Sequence, residues 1–169
     1  MNTEFIALIA NLALALSFIV GLIFGIVQVQ TAARDRKERL TLETLRNYQT
    51  HEFAELIFRV NAYSFPATLE EWRKLPAEDQ VMLLQFTQQM ESLGLLVAEK
   101  FINIELVDKT LGSFVTNSWD KFKTVITDMR KKLPDPYLSE YFQWLSEQLS
   151  ERMNTRPRKP FHEAGIKPK

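Results

Sequence analysis

Two histidines are the side chains of this sequence whose ordinary pKa lies near neutral, and imidazole is also a common metal ligand. His51 begins the segment HEF and His162 begins HEA, but neither is followed by a second histidine four residues later. The HExxH zinc pattern is therefore absent. The chain also has no cysteine, which removes thiolate nucleophiles, disulfides and cysteine-ligated metal sites. A lone surface histidine needs no function, and we predict no metal site.

Paired carboxylates are the next candidates for acid-base chemistry. Glu70 with Glu71, and Glu78 with Asp79, stand at predicted helix starts, where acidic side chains interact favourably with the helix dipole. Catalysis by such acids needs a desolvated cleft that shifts a pKa, and nothing in the sequence indicates one here. The nucleotide-binding and hydrolase patterns GxGxxG, GxxxxGK[ST] and GxSxG are also absent. We predict no catalytic residue and no cofactor, and the sequence identifies no small-molecule substrate.

The charge balance gives no sign of a nucleic-acid partner. The 169 residues include 21 Lys or Arg and 21 Asp or Glu, for a formal net charge of zero, whereas nucleic-acid-binding domains carry a basic surface. Only five glycines occur, and strand-like alternation of apolar and polar residues is scarce. These features predict an all-α protein with one compact domain besides its first segment.

The first 33 residues have the composition of a membrane-spanning helix. No charged residue occurs between Glu4 and Arg34, and residues 5–27 are apolar with two exceptions. As a helix this stretch rises about 34 Å, which exceeds the ~30 Å hydrocarbon core of a bilayer. A cleaved signal peptide is the alternative, but it needs a basic start and a shorter apolar region. We predict an uncleaved transmembrane anchor over residues 1–33.

Four cations directly follow the anchor and set its predicted orientation. By the positive-inside rule the N-terminus lies outside and residues 34–169 lie in the cytoplasm, as in a single-pass protein of a bacterial inner membrane. The same cations could contact anionic lipid headgroups. Asp35 and Glu38 weaken that attraction, so we interpret the cluster mainly as a topology signal. The four cations are Arg34, Arg36, Lys37 and Arg39.

Small residues repeat every four positions within the anchor: Ala13, Ser17, Gly21 and Gly25. Residues four apart share one helix face, and small residues there let a second backbone approach closely enough for van der Waals packing in lipid. Glycine is also common in membrane helices, so chance is the alternative. The stripe predicts contact with another transmembrane helix, from a second copy or a different subunit.

The sequence after the anchor predicts a juxtamembrane helical stalk over residues 34–49 and a bundle of about five helices over residues 50–153. Each segment repeats apolar residues at helical spacing, which requires burial against the other segments. Capping patterns mark the predicted helix starts. They are Thr50, Thr68 with Glu71, Pro76, Asn103, and Asp135 followed by Pro136.

Residues 154–169 form a basic, proline-containing tail without helical periodicity, for which we predict disorder unless a partner binds it. Its cations could contact anionic lipid or an acidic partner, although a solvated tail is the commoner outcome. Trp119 lies on an apolar stripe and is predicted to be core, whereas Trp72 and Trp144 lie beside theirs. The predicted partner contacts are Trp72, Trp144, Arg156, Arg158 and Lys159.

Several segments together resemble a bacterial family classed as a domain of unknown function. They are TLETLRNYQTHEF, MESLGLLVAEKFINIELVDKTLG, SWDKF and YFQWLSEQL. The resemblance covers roughly residues 1–150 and implies one N-terminal membrane helix followed by a helical cytoplasmic domain. It supplies no catalytic residue. The sequence departs from it at Phe101, where a glycine is expected before the turn into the next helix.

Three functional hypotheses follow. The first is a non-catalytic, membrane-anchored interaction, scaffold or accessory protein that associates through the small-residue stripe. The second is a homo-oligomeric effector that lines a pore or perturbs the membrane, although the polar residues of the anchor are too scattered to form a channel face. The third, an enzyme with an unfamiliar helical site, has the least support.

Overall fold

In a computed structural model, which describes residues 3–159 and residue 163, six α-helices account for most of the described backbone, and no strand occurs within those residues. The predicted all-α class is confirmed. The helices are α1 (Thr3–Asn47), α2 (His51–Ala62), α3 (Leu69–Arg73), α4 (Ala77–Ala98), α5 (Ile104–Lys132) and α6 (Glu140–Thr155).

The chain divides into two units, Met1–Leu40 and Thr41–Lys169. The first unit, over its described residues, is the longer part of α1, and its side chains are almost all exposed. The second unit is a helical domain built from the end of α1 and from α2 to α6. Thr41 and Leu45 are buried in that domain, so the second half of the predicted stalk, residues 34–49, contributes to its core.

Local side-chain caps begin three of the helices as the sequence predicts. The Thr50 hydroxyl accepts a hydrogen bond from the Phe53 N–H, and the Thr68 hydroxyl accepts one from the Glu71 N–H. The Asn103 side chain accepts from the Glu105 N–H. Each cap satisfies a backbone donor that has no partner within its helix, which fixes where the helix begins.

The turn between α4 and α5 corrects the expectation of a glycine at Phe101. The left-handed residue is Lys100, with φ 61°. The Phe101 N–H donates to the Leu96 carbonyl and the Lys100 N–H donates to the Val97 carbonyl, which is the Schellman pattern of a helix C-terminus. The position that would favour glycine is therefore one residue earlier than predicted.

The start of α6 also differs from the prediction. Asp135 and Pro136 were expected to begin this helix, but the Asp135 carboxylate caps only an isolated turn by accepting from the Tyr137 N–H. Ser139 then adopts a left-handed conformation with φ 58°, and α6 begins at Glu140. The cap comes from another helix, because the Glu91 carboxylate of α4 accepts from the N–H groups of Tyr141 and Phe142.

Aromatic rings form the centre of the domain. Phe86 and Phe122 stack with ring centroids 5.4 Å apart, and Phe142 meets the edges of both. Trp119 packs against Phe142 at 5.2 Å and is only 8% exposed, which confirms it as a core residue. Since these rings come from α4, α5 and α6, the three longest helices of the domain share one apolar core.

Two glycines lie at close helix contacts. A Cβ added at Gly94 of α4 would lie 2.2 Å from the Tyr141 carbonyl oxygen of α6, so only glycine permits this approach. A Cβ added at Gly112 of α5 would meet only the ends of the flexible Asp108 and Met153 side chains, at 2.9 and 3.5 Å.

Candidate functional site

The small-residue stripe lies on an open face of α1. Ala13, Ser17, Gly21 and Gly25 are all exposed, and a Cβ added at either glycine would meet no atom within 4 Å. A larger residue at either glycine would therefore meet no neighbouring atom of the same chain. The face is free to accept a second helix.

The rest of the anchor is apolar on every side. Among the described residues, α1 is the one helix long and apolar enough to cross a membrane, and its most apolar window is 0% buried. Exposed leucine, isoleucine, valine and phenylalanine side chains follow one another from Phe5 to Val29. A helix that is hydrophobic all round needs an apolar environment such as lipid or protein.

The cations after the anchor lie on the same helix. Arg34 Nε donates to Glu38 Oε1 at 3.0 Å, and both side chains are largely exposed. Arg36 and Arg39 are exposed and Lys37 is half-buried. Exposed pairs of this kind contribute little stability.

The predicted partner contacts occupy different environments. Trp72 and Trp144 are both half-buried and pack against the core, so each offers only part of its ring to a partner. Asn154 and Thr155 belong to α6, and the tail outside the helix begins with Arg156. Arg156, Arg158 and Lys159 are exposed. The tail residues 160–162 and 164–169 lie outside the described structure.

The first carboxylate pair contributes to helix packing. Glu70 Oε2 of α3 lies 2.7 Å from Lys132 Nζ of α5, and Asp128 Oδ2 lies 3.1 Å from the same ammonium. Asp128 also accepts from the Leu69 N–H at 2.8 Å. The hydrogen bond from Leu69, followed by that from Lys132, lowers the pKa of Asp128, and the Lys132 ammonium lowers the pKa of Glu70. The network holds the short helix α3 against α5.

The histidine and metal predictions can be compared with the described part of the chain. His51 is exposed, with Nε2 lying 3.2 Å from Glu55 Oε1. Within residues 3–159 and residue 163, no group of three His, Cys, Asp or Glu side chains is arranged to hold a metal ion. His162 lies outside the described residues.

A concave surface runs along α2 and α4, and we name it the α2–α4 groove. It consists of three adjoining hollows of about 300, 390 and 430 Å³. The first two hollows share Asn47, Gln85 and Gln89, while the first and third share Glu55 and Arg59. No pattern in the sequence predicted this groove.

Carboxamide side chains dominate the middle of the groove. The hollow of 390 Å³ is lined only by uncharged residues, among them Asn47, Gln85, Gln88 and Gln89. The side-chain oxygen of Gln89 is buried and has no hydrogen-bond donor. The Tyr48 hydroxyl donates a hydrogen bond to the main-chain carbonyl of Gln89 at 3.0 Å. Burial raises the pKa of the Tyr48 hydroxyl to about 12. This surface can donate and accept hydrogen bonds without contributing charge.

The α2 end of the groove is acidic and apolar. Glu52, Glu55 and Glu78 line it together with one cation, Arg59. Phe58 is 74% exposed beside the outer hollow, and Val81 is 63% exposed in the first. The sequence gave only a weak indication of this surface. Val81 is an apolar residue that lies outside the buried stripe of α4 and close to Gln85 and Gln89.

The family model described as a domain of unknown function, DUF4760, matches residues 15–149. No curated protein and no solved structure matches this chain.

Proposed function

This chain belongs to the DUF4760 family of unknown function, and we propose that it is a non-catalytic single-pass membrane protein that acts as an interaction, scaffold or accessory subunit of a membrane complex or homo-oligomer. The observation that carries the proposal is the long, fully exposed apolar face of α1. Such a surface is stable only in contact with lipid or another protein.

The length of α1 supports an anchor over the two alternatives that also fit an apolar N-terminal helix. The core helix of a soluble protein would be buried, whereas the apolar window here is 0% buried. A signal peptide would end soon after its apolar region, whereas α1 continues without a break to Asn47. The last turns of α1 are part of the helical domain, so cleavage within them would damage its core.

The proposed orientation places the N-terminus outside and the helical domain in the cytoplasm of a bacterial inner membrane. Four cations lie within residues 34–39, directly after the uncharged segment, whereas the charged side chain that precedes this segment is Glu4. The retention of Lys and Arg on the cytoplasmic side favours this direction.

Helix association within the membrane is the proposed means of joining a partner. Apolar burial gives little driving force in lipid, so association depends on close packing of backbones. Gly21 and Gly25 offer that approach on a face with no neighbouring atoms. The partner helix is a second copy of α1 or belongs to a different subunit.

Bulky substitutions on two faces of α1 test this association. Gly21→Ile with Gly25→Ile fills the stripe, and Ile19→Phe with Ile23→Phe adds volume on the opposite face as a matched control. The natural chain and both variants are crosslinked in native membranes, and crosslinked partners are co-purified and identified by mass spectrometry. The variant with isoleucine at both glycines should lose its crosslinked partner, whereas the phenylalanine control should keep it. Equal crosslinking for the natural chain and both variants would contradict the proposed contact.

A further inference from the structure

We propose that the α2–α4 groove is the docking site for the C-terminal tail of the same chain, residues 156–169. The groove and the start of the tail both belong to the helical domain. The proposal goes beyond the membrane role, because it assigns an occupant to a surface that is independent of the anchor.

Charge complementarity is the first argument. Glu52, Glu55 and Glu78 stand on the groove with one cation, Arg59. The tail has five Lys or Arg residues and one acid, Glu163. Arg156 and Lys159 at its start are exposed. Bringing the two together neutralises both surfaces and raises the rate and specificity of contact.

Apolar surface on both sides is the second argument. Phe58 and Val81 are among the most exposed large apolar side chains of the domain and flank the two hollows that share Arg59. The tail contains Phe161 and Ile166 among its polar residues. Aromatic and aliphatic anchors of this kind supply most of the free energy at small interfaces.

Hydrogen-bond chemistry is the third argument. Prolines at positions 157, 160 and 168 favour an extended polyproline conformation, in which backbone carbonyls have no internal donor. Asn47, Gln85 and Gln88 line the uncharged hollow, and their carboxamides can donate to such carbonyls. Extended proline-containing segments dock into aromatic-lined grooves, and Phe58 and Tyr48 line two of the hollows.

The tail is long enough to reach the groove. Fourteen extended residues span about 45–50 Å, whereas a domain of this size has a radius of gyration of about 14 Å. A tethered segment experiences an effective concentration in the millimolar range. Weak contacts therefore suffice for occupancy.

Cysteine crosslinking tests the proposal directly, because the natural chain contains no cysteine. The tail receives Gly165→Cys in every variant. The groove receives Gln88→Cys, an exposed position on α4, and the control receives Ser113→Cys, an exposed position on α5. Ser113 is adjacent to Gly112, which lies beside Met153 near the end of α6. A tail with no preferred docking site would therefore also reach the control cysteine.

The full chain in phosphatidylcholine nanodiscs is treated with a short bismaleimide, and monomeric crosslinked product is followed by mass. Gln88→Cys should crosslink roughly tenfold faster than Ser113→Cys, the ratio given by a docking free energy of about 1.4 kcal/mol. The preference should disappear when Arg156, Arg158 and Lys159 are replaced by glutamine, and should weaken in high salt.

Three results would overturn the proposal. Equal rates at the two positions would show that the tail has no preferred site. A crosslinked dimer at Gln88→Cys would assign the groove to the tail of a second copy. Equal rates that both fall when anionic phosphatidylglycerol is included would assign the tail to the lipid surface.

Discussion

Replacing Gly94 with alanine should lower the melting temperature of the helical domain. The added Cβ would lie 2.2 Å from the Tyr141 oxygen, 2.5 Å from its carbonyl carbon and 3.0 Å from its Cβ. Two of these atoms are backbone, so no side-chain rotation relieves the contact. Helix α6 must move away from α4 by roughly 1.3 Å to restore normal separations of roughly 3.5 Å.

The size of the loss follows from what α6 buries. Phe142, Leu145 and Leu149 have no exposed surface, and a gap of 0.5–1 Å forfeits a quarter to a half of each van der Waals contact that opens. Overpacking of this type costs about 1–3 kcal/mol and sometimes more. Alanine recovers about 1 kcal/mol of helix propensity relative to glycine. We expect a net loss of up to about 2 kcal/mol, which lowers Tm by roughly 8 °C for a domain of this length.

The fluorescence of tryptophan measures this transition without interference from the anchor. All three tryptophans, Trp72, Trp119 and Trp144, belong to the helical domain. The control is Gly112→Ala, whose Cβ meets only flexible side-chain ends, so its Tm should stay constant or rise slightly. A Gly94→Ala protein that melts within about 2 °C of the natural chain, or a control that loses as much, would refute this reasoning.

Three further changes test the ends and contacts of the helices. Glu91→Gln removes the charge that caps α6 and should cost about 1–2 kcal/mol in chemical denaturation, whereas Glu99→Gln at an exposed position of the same chain region should cost little; equal losses would contradict the capping role. Lys100→Gly should stabilise the domain by about 1 kcal/mol, because glycine adopts the left-handed conformation of position 100 without strain. Phe101→Gly should not stabilise it. A gain in stability for Phe101→Gly alone would instead support the expectation of a glycine at position 101. Asp128→Asn should destabilise the domain at pH 7. Since the pKa of Asp128 is lowered on folding, the difference from the natural chain should shrink as pH falls below the ordinary value of 3.8, and a difference that is independent of pH would exclude the carboxylate as its cause.

Predictions from the sequence succeeded where the determining interaction is local. Thr50, Thr68 and Asn103 each bond to a backbone N–H two or three residues away, and such caps can be recognised from the residues themselves. The helical spacing of apolar residues likewise predicted helices with one buried face, and in α4 that face includes Leu83 and Phe86. Helix periodicity is a property of the local chain.

The start of α6 could not be predicted in this way. Its cap is Glu91, 50 and 51 residues before the N–H groups that it accepts from. A sequence pattern contains no information about that distance in space. Asp135 and Pro136 formed a better local signal, but they produced only a single turn ahead of Ser139.

The α2–α4 groove was missed for a related reason. Its walls come from the end of α1, from α2 and from α4, and a groove exists only once these helices pack. The small-residue stripe was visible because all four residues share one helix face. The family match over residues 15–149 agrees with the suspected family and adds no chemistry.

Accessibility of two cysteines in intact spheroplasts tests the central claim most directly. The chain has no natural cysteine, so Thr3→Cys and Lys159→Cys place one thiol at each end of the described structure. A maleimide that cannot cross membranes should label Thr3→Cys in intact spheroplasts and label Lys159→Cys only after lysis. Labelling of Lys159→Cys in intact spheroplasts, or equal protection of both thiols until lysis, would contradict a single-pass protein with a cytoplasmic domain.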